Sequence, residues 1–186
     1  MAMILKYEHN LAVSKILELK TMLEGLFLLN SKCALKINEK RYLLKIMDNK
    51  TPNTTLIYRG SDHGWSYKDF HNRCDNRGPT LCLFRVKDGD CIGGYTTAQW
   101  SSDSNKLVAD KDAMVFNLTI GRNFPSKNTG IDIFCSSGRG PCFSGGNGSE
   151  LCALDSPFNG EGKCQSLANK PGYAIPVDKE GINMLT

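Results

Sequence analysis

The chain has 186 residues and a formal net charge of +4, with 40% hydrophobic and 23% charged residues. That length suits one domain with a sizeable core, and the balance of apolar to charged residues excludes global disorder. No Lys/Arg-rich block occurs, which argues against a nucleic-acid binder, and the longest apolar run, Leu26–Leu29, falls far short of the roughly 18 residues of a membrane span.

The opening segment interrupts its apolar residues with Lys6, Glu8, Lys15, Glu18 and Lys20, so no secretory signal is read there. The expectation is a soluble, intracellular and most simply cytoplasmic protein. Leu11, Leu19, Met22, Leu23, Leu26 and Phe27 recur at three- and four-residue spacing and predict an N-terminal helix within residues 1–30. Its apolar stripe packs on the same domain or, alternatively, docks on a partner. Residues 41–47, "RYLLKIM", suit a helix or a strand.

From Thr54 the pattern changes. "TTLIYRG" (54–60) is β-branched and aromatic and reads as a strand. "TLCLFRV" (80–86) and "CIGGYTT" (91–97) flank Asp88-Gly89, a hairpin signal for a two-residue turn with positive φ at both positions. That register sets Phe84 and Leu83 opposite Gly93 and Gly94. "AMVFNLTI" (113–120) alternates as a half-buried strand, with Met114, Phe116, Leu118 and Ile120 on one face. "GIDIFC" (130–135) and "SELCAL" (149–154) are weaker strands. Many short strands with turns between them predict an α+β, mainly β fold: a sheet sandwich with a few helices.

One stretch, "SDHGWSYKDFHNRCD" (61–75), concentrates groups with chemistry. It reads most simply as a helix start. Ser66 is the N-cap, Asp69 stands at N3, and Trp65 and Phe70 occupy the two positions of a hydrophobic staple. Tyr67, Phe70 and Cys74 would share the buried face. The rival readings are a metal site, from His71-x-x-Cys74 with His63 nearby, and a Cys/His nucleophile pair. No partner spacing or flanking motif supports either.

The eight cysteines include no pair separated by two residues, so zinc-knuckle spacing is absent. Free, mostly buried thiols are expected. Cys74, beside Arg73 and Arg77, and Cys142, near Arg139, have the adjacent positive charge that a redox-active thiol needs. "GRGPCFSGGNGSE" (138–150) lacks the phosphate-loop pattern and reads as a loop between strands, with Glu150 and Asp155 as strand-end carboxylates.

Three segments together resemble the TLDc domain family: "LIYRGSDHGWSYKDFHNRCDNRGPTLCLFRV", "CIGGYTTAQW" and "GPCFSGGNGSEL". The matching positions are Leu56, Tyr58, Gly64, Ser66, Phe70, Gly78, Pro79, Thr80, Gly93, Gly94, Tyr95, Trp100, Gly145 and Gly146, in the family's order and spacing. The likeness runs from about residue 40 to 186, leaving 1–39 as an N-terminal helical segment. The chain stops at "GINMLT", short of the family's usual last strand, which would leave a sheet edge open.

The resemblance implies a two-sheet antiparallel sandwich flanked by helices. It implies no catalytic mechanism, no cofactor and no metal. It implies a link to protection against oxidative damage and, in some members, binding to the vacuolar proton-pumping ATPase. On it, the structural or binding positions are Gly64, Trp65, Ser66, Asp69, Phe70, Gly93, Gly94, Tyr95, Trp100, Gly145, Gly146 and Glu150. The expected activity is protein binding rather than catalysis, with a multi-subunit complex as partner and no nucleic acid. The alternatives are a redox-active cysteine protein and a structural subunit anchored through its N-terminal helix.

Overall fold

The structure, a computed structural model, describes residues 35–47, 54–86, 88–103, 105–143, 151–153, 164–165 and 172–173. The chain divides into two compact units, residues 1–55 and 56–186. The helix expected within 1–30 lies outside the described residues, as do Gly145, Gly146, Glu150 and Asp155.

In the first unit, "RYLLKI" (41–46) is helical and belongs to α1 (Ile37–Ile46), with Met47 as its C-cap. Glu39 fixes its start, because its carboxylate accepts the Lys36 backbone N–H at 2.8 Å. Leu43 and Leu44 are its buried apolar residues.

The second unit holds α2 (Gly60–His63) and α3 (Tyr67–Cys74). Its strands are β1 (Thr80–Arg85), β2 (Cys91–Thr96), β3 (Lys106–Val108), β4 (Met114–Asn117), β5 (Arg122–Pro125), β6 (Ile133–Cys135), β7 (Cys142–Phe143), β8 (Leu151–Ala153) and β9 (Cys164–Gln165). They form two antiparallel sheets, ordered β1-β2-β4-β5 and β3-β6-β7-β8-β9. After β2 the chain crosses to lay down β3, returns for β4 and β5, and then builds the rest of the second sheet in sequence order.

Strand alternation gives each sheet one face to bury. Ile92, Val115 and Phe124 of the first sheet join Ile133, Cys135 and Phe143 of the second in one buried cluster. Phe70 and Cys74 of α3, together with Trp100, complete it. This is the expected α+β, mainly β sandwich.

Several local expectations give way. Residues 54–59 form no strand, and Gly60 opens α2. Arg59 has extended dihedrals (φ −145°, ψ 122°), but its N–H donates to Nδ1 of His63 at 2.9 Å instead of to a ladder. β-Propensity needs a neighbouring strand to act on, and here the local ring competes for the donor.

The β1–β2 register is one residue off the expected one: Leu83 faces Gly93 and Cys82 faces Gly94. The turn is the cause. Val86 N–H donates to the Asp90 carbonyl and Gly89 N–H to the Val86 carbonyl, both at 2.9 Å, and Gly89 takes φ +91°. This closes a three-residue loop ending in a left-handed glycine, not a two-residue turn.

β4 is shorter than the alternation suggested. Oδ1 of Asn117 accepts the N–H groups of Thr119 and Ile120 at 3.0 and 3.2 Å and bends the chain out of the sheet. Val115, rather than Phe116, faces the core shared by the sheets, and Ile120 is 49% exposed.

Candidate functional site

Among the described residues, several family-like positions lie in α3 and beside the buried cluster. α3 is capped as its spacing predicts. Ser66 Oγ accepts the Asp69 N–H at 3.2 Å, and Ser66 N–H donates back to the Asp69 carboxylate at 3.3 Å. The Ser66 hydroxyl itself donates to the same carboxylate at 2.7 Å. Gly64 makes room for this cap. Its φ is +96°, and a Cβ there would come within 2.9 Å of Asp69 Cγ. Its carbonyl accepts the Tyr58 hydroxyl at 2.7 Å.

Trp65 and Phe70 each have a support of their own. The indole lies over Gly60, whose absent Cβ would sit 2.7 Å from Trp65 Cδ2, and it remains 37% exposed. Phe70 is buried among Tyr58, His71 and Trp100, with edge-on ring centroids at 5.7, 5.1 and 5.8 Å.

Trp100 sits at the centre of the site. It is buried, its indole N–H donates to Thr80 Oγ1 at 2.9 Å, and its ring meets Phe143 edge-on at 5.6 Å. Asp75 and Trp100 form an isolated parallel bridge, and Asn76 N–H donates to the Trp100 carbonyl. Gly78-Pro79, which leads into β1, is joined by a cis peptide.

The two glycines of β2 admit rings. A Cβ on Gly93 would lie 2.6 and 2.8 Å from carbons of Phe116, and one on Gly94 would lie 2.5–2.7 Å from three carbons of Phe143. Phe116 comes from β4 and Phe143 from the other sheet, in place of the expected Phe84 and Leu83. Tyr95 is half-buried, and burial with Asp110 and Asp112 nearby raises its hydroxyl above the ordinary value.

The titratable groups of 61–75 are engaged in the frame. His63 accepts from Arg59 as described, and its ring lies 6.0 Å from that of Tyr58. His71 faces Asp75 Oδ1 at 2.6 Å and the carbonyls of Ser136 and Arg139 at 2.8 Å each. Cys74 is a free, buried thiol, pushed up to about 12 by burial and then by the Asp75 charge, against Arg77 and Arg73. Cys82, Cys91 and Cys135 are also thiols outside any disulfide. Cys142 is not: it is held in a disulfide and is fully buried. Opposite it in register stands Cys152. Among the described residues, no group of three His, Cys, Asp or Glu side chains could hold a metal ion.

No motif or spacing announces a second polar centre. Asp110 accepts from the hydroxyls of Thr96 and Thr97 at 2.6 and 2.8 Å, and from the N–H groups of Thr97 and Ala98 at 2.6 and 3.1 Å. Burial pushes its carboxyl up, but these bonds outweigh burial and hold it below the ordinary value. Buried Asp132 accepts the Asp110 N–H at 2.8 Å and the Ser126 hydroxyl, and its carbonyl takes the Tyr173 hydroxyl at 2.6 Å. These partners lie far apart in sequence. The readable local signal was Asp75, four residues after His71 on one helix face.

An antiparallel two-sheet sandwich built around capped α3 and aromatic-filled glycines defines an α+β domain whose motif residues frame a core. The TLDc domain model matches residues 28–176, and the chain belongs to the TLDc domain family. That family is linked to resistance against oxidative stress. No curated protein matches the sequence. Among the described residues, no helix is long and apolar enough to cross a membrane.

Proposed function

We propose that the chain is a non-catalytic, intracellular TLDc-type interaction domain. It docks onto a multi-subunit protein assembly, with the vacuolar proton-pumping ATPase as the first to test, and serves protection against oxidative damage. The observation that carries this reading is Trp65. It lies in the family motif, is anchored on Gly60, and still presents over a third of its surface to solvent. Tryptophan is enriched among the few residues that carry most of the binding energy at protein interfaces.

Membership of the family adds support, because the polar groups of the motif are committed to capping and tethering. The redox reading fits less well at Cys74, whose thiol is driven away from the thiolate form by burial and by Asp75.

The test is co-purification of the full chain with the purified ATPase, and with assemblies from a lysate, at physiological salt. Wild type should be retained by one defined assembly, and Trp65→Ala should bind about tenfold or more weakly. A chain that stays alone against every assembly overturns the reading. Equal binding by Trp65→Ala removes Trp65 from it.

A further inference from the structure

His71 lies in the last turn of α3, is 7% exposed, and faces three oxygens. Nδ1 is 2.6 Å from Asp75 Oδ1, and Nε2 is 2.8 Å from the carbonyl oxygens of both Ser136 and Arg139. A carbonyl only accepts. The Asp75 carboxylate also accepts, and its second oxygen already takes the Ser102 hydroxyl. A neutral imidazole has one N–H and one lone pair, so on one side it would point a lone pair at an oxygen. An imidazolium donates on both sides.

The surroundings favour the charged ring. Asp75 is the carboxylate that meets it, at the C-terminal end of α3, where the helix dipole also attracts a cation. Cys74 of α3 and Cys135 of β6 are thiols, both feeling Asp75. Arg73 and Arg77 act on Cys74, and Phe70 presents its ring. From the 136–139 loop come two backbone oxygens, while the Arg139 guanidinium lies over Phe134, 5.7 Å from the ring centroid.

We propose that His71 is a proton-operated latch. Charged, it clasps the end of α3 to the 136–139 loop. Neutral, it keeps Nδ1–H on the carboxylate, the stronger of its partners, and turns a lone pair toward the two carbonyls. The loop is then released, and with it the approach to β7 (Cys142–Phe143). Proton uptake by the ring therefore closes the latch, and proton loss opens it.

The test uses the full chain. Nitrogen NMR of the His71 ring is combined with amide hydrogen exchange across 136–142, corrected for the intrinsic pH dependence of exchange. Across a pH series, loop protection should fall about tenfold as the ring passes from two N–H groups to one, as for a lost charge-assisted hydrogen bond. Protection of the α1 amides should not change. In His71→Gln, uncharged at every pH, this fall should vanish. If that variant does not fold, the wild-type spectra decide alone. Loop protection that does not follow the protonation of the ring, or a ring that carries only one proton at every pH at which the chain is folded, overturns the proposal.

Discussion

Gly94 lies directly under a ring of the other sheet, and replacing it tests whether Phe143 is the reason for glycine there. A methyl group at Gly94 would lie 2.5, 2.6 and 2.7 Å from three ring carbons of Phe143. Carbon atoms rest at about 3.5–4.0 Å, so the ring would have to retreat by about 1 Å. It has no room to do so. Phe143 is fully buried, with Trp100 and Tyr173 edge-on at 5.6 and 6.4 Å. Overpacking of this kind costs ~1–3 kcal/mol, offset by ~0.5–1 kcal/mol because alanine loses less backbone freedom than glycine in a strand. Gly94→Ala should therefore destabilise by ~1–2 kcal/mol net.

Phe143→Ala alone should cost ~3–5 kcal/mol through the cavity it leaves. With both changes the new methyl faces emptied space, so the overpacking should vanish, Gly94→Ala should turn into a gain of ~0.5–1 kcal/mol, and the cycle should show ~1–3 kcal/mol of coupling. Urea unfolding followed by tryptophan fluorescence measures it, and both tryptophans, Trp65 and Trp100, lie in the 56–186 unit. Penalties equal in the two backgrounds to within ~0.5 kcal/mol would show that Phe143 does not impose the glycine.

Gly64→Ala should destabilise by ~1–3 kcal/mol and Ser66→Ala by ~1 kcal/mol, in urea midpoints, because the first forces a side chain into φ +96° against Asp69 and the second removes one cap acceptor. A neutral Gly64→Ala would sink the account of the cap. Asp110→Asn should cost ~1–3 kcal/mol at neutral pH. Because the folded carboxyl of Asp110 is held low, its stabilisation is complete above about pH 4, the unfolded value, and is lost as pH falls through the folded value. Wild type should thus lose more stability than Asp110→Asn on acidification, and parallel losses would refute this. Cys74, buried and pushed up to about 12, should resist iodoacetamide in the native protein and react once urea unfolds it. Mass-mapped alkylation of native Cys74 within minutes would count against that burial.

What could be read from the sequence was decided by distance along the chain. The cap of α3 joins Ser66 to Asp69, three residues apart, and both the spacing and the outcome are local. The Asp88-Gly89 hairpin was also local, but the dipeptide fits loops of two or three residues, and one extra residue shifted every β1 partner of β2. Its rings followed: Phe143, which requires Gly94, enters from the other sheet 49 positions later, so no window of sequence could pair them. The same limit hid the role of His71. Its ring was visible as chemistry, while two of its three acceptors are backbone carbonyls 65 and 68 residues away. Carbonyls carry no residue-type signature, so a histidine that clasps backbone resembles a ligand or a base until the fold brings the loop to it. That is why "SDHGWSYKDFHNRCD" looked like chemistry: its groups were readable, but the partners that turn His71 into a tether are specified by the sheet crossing.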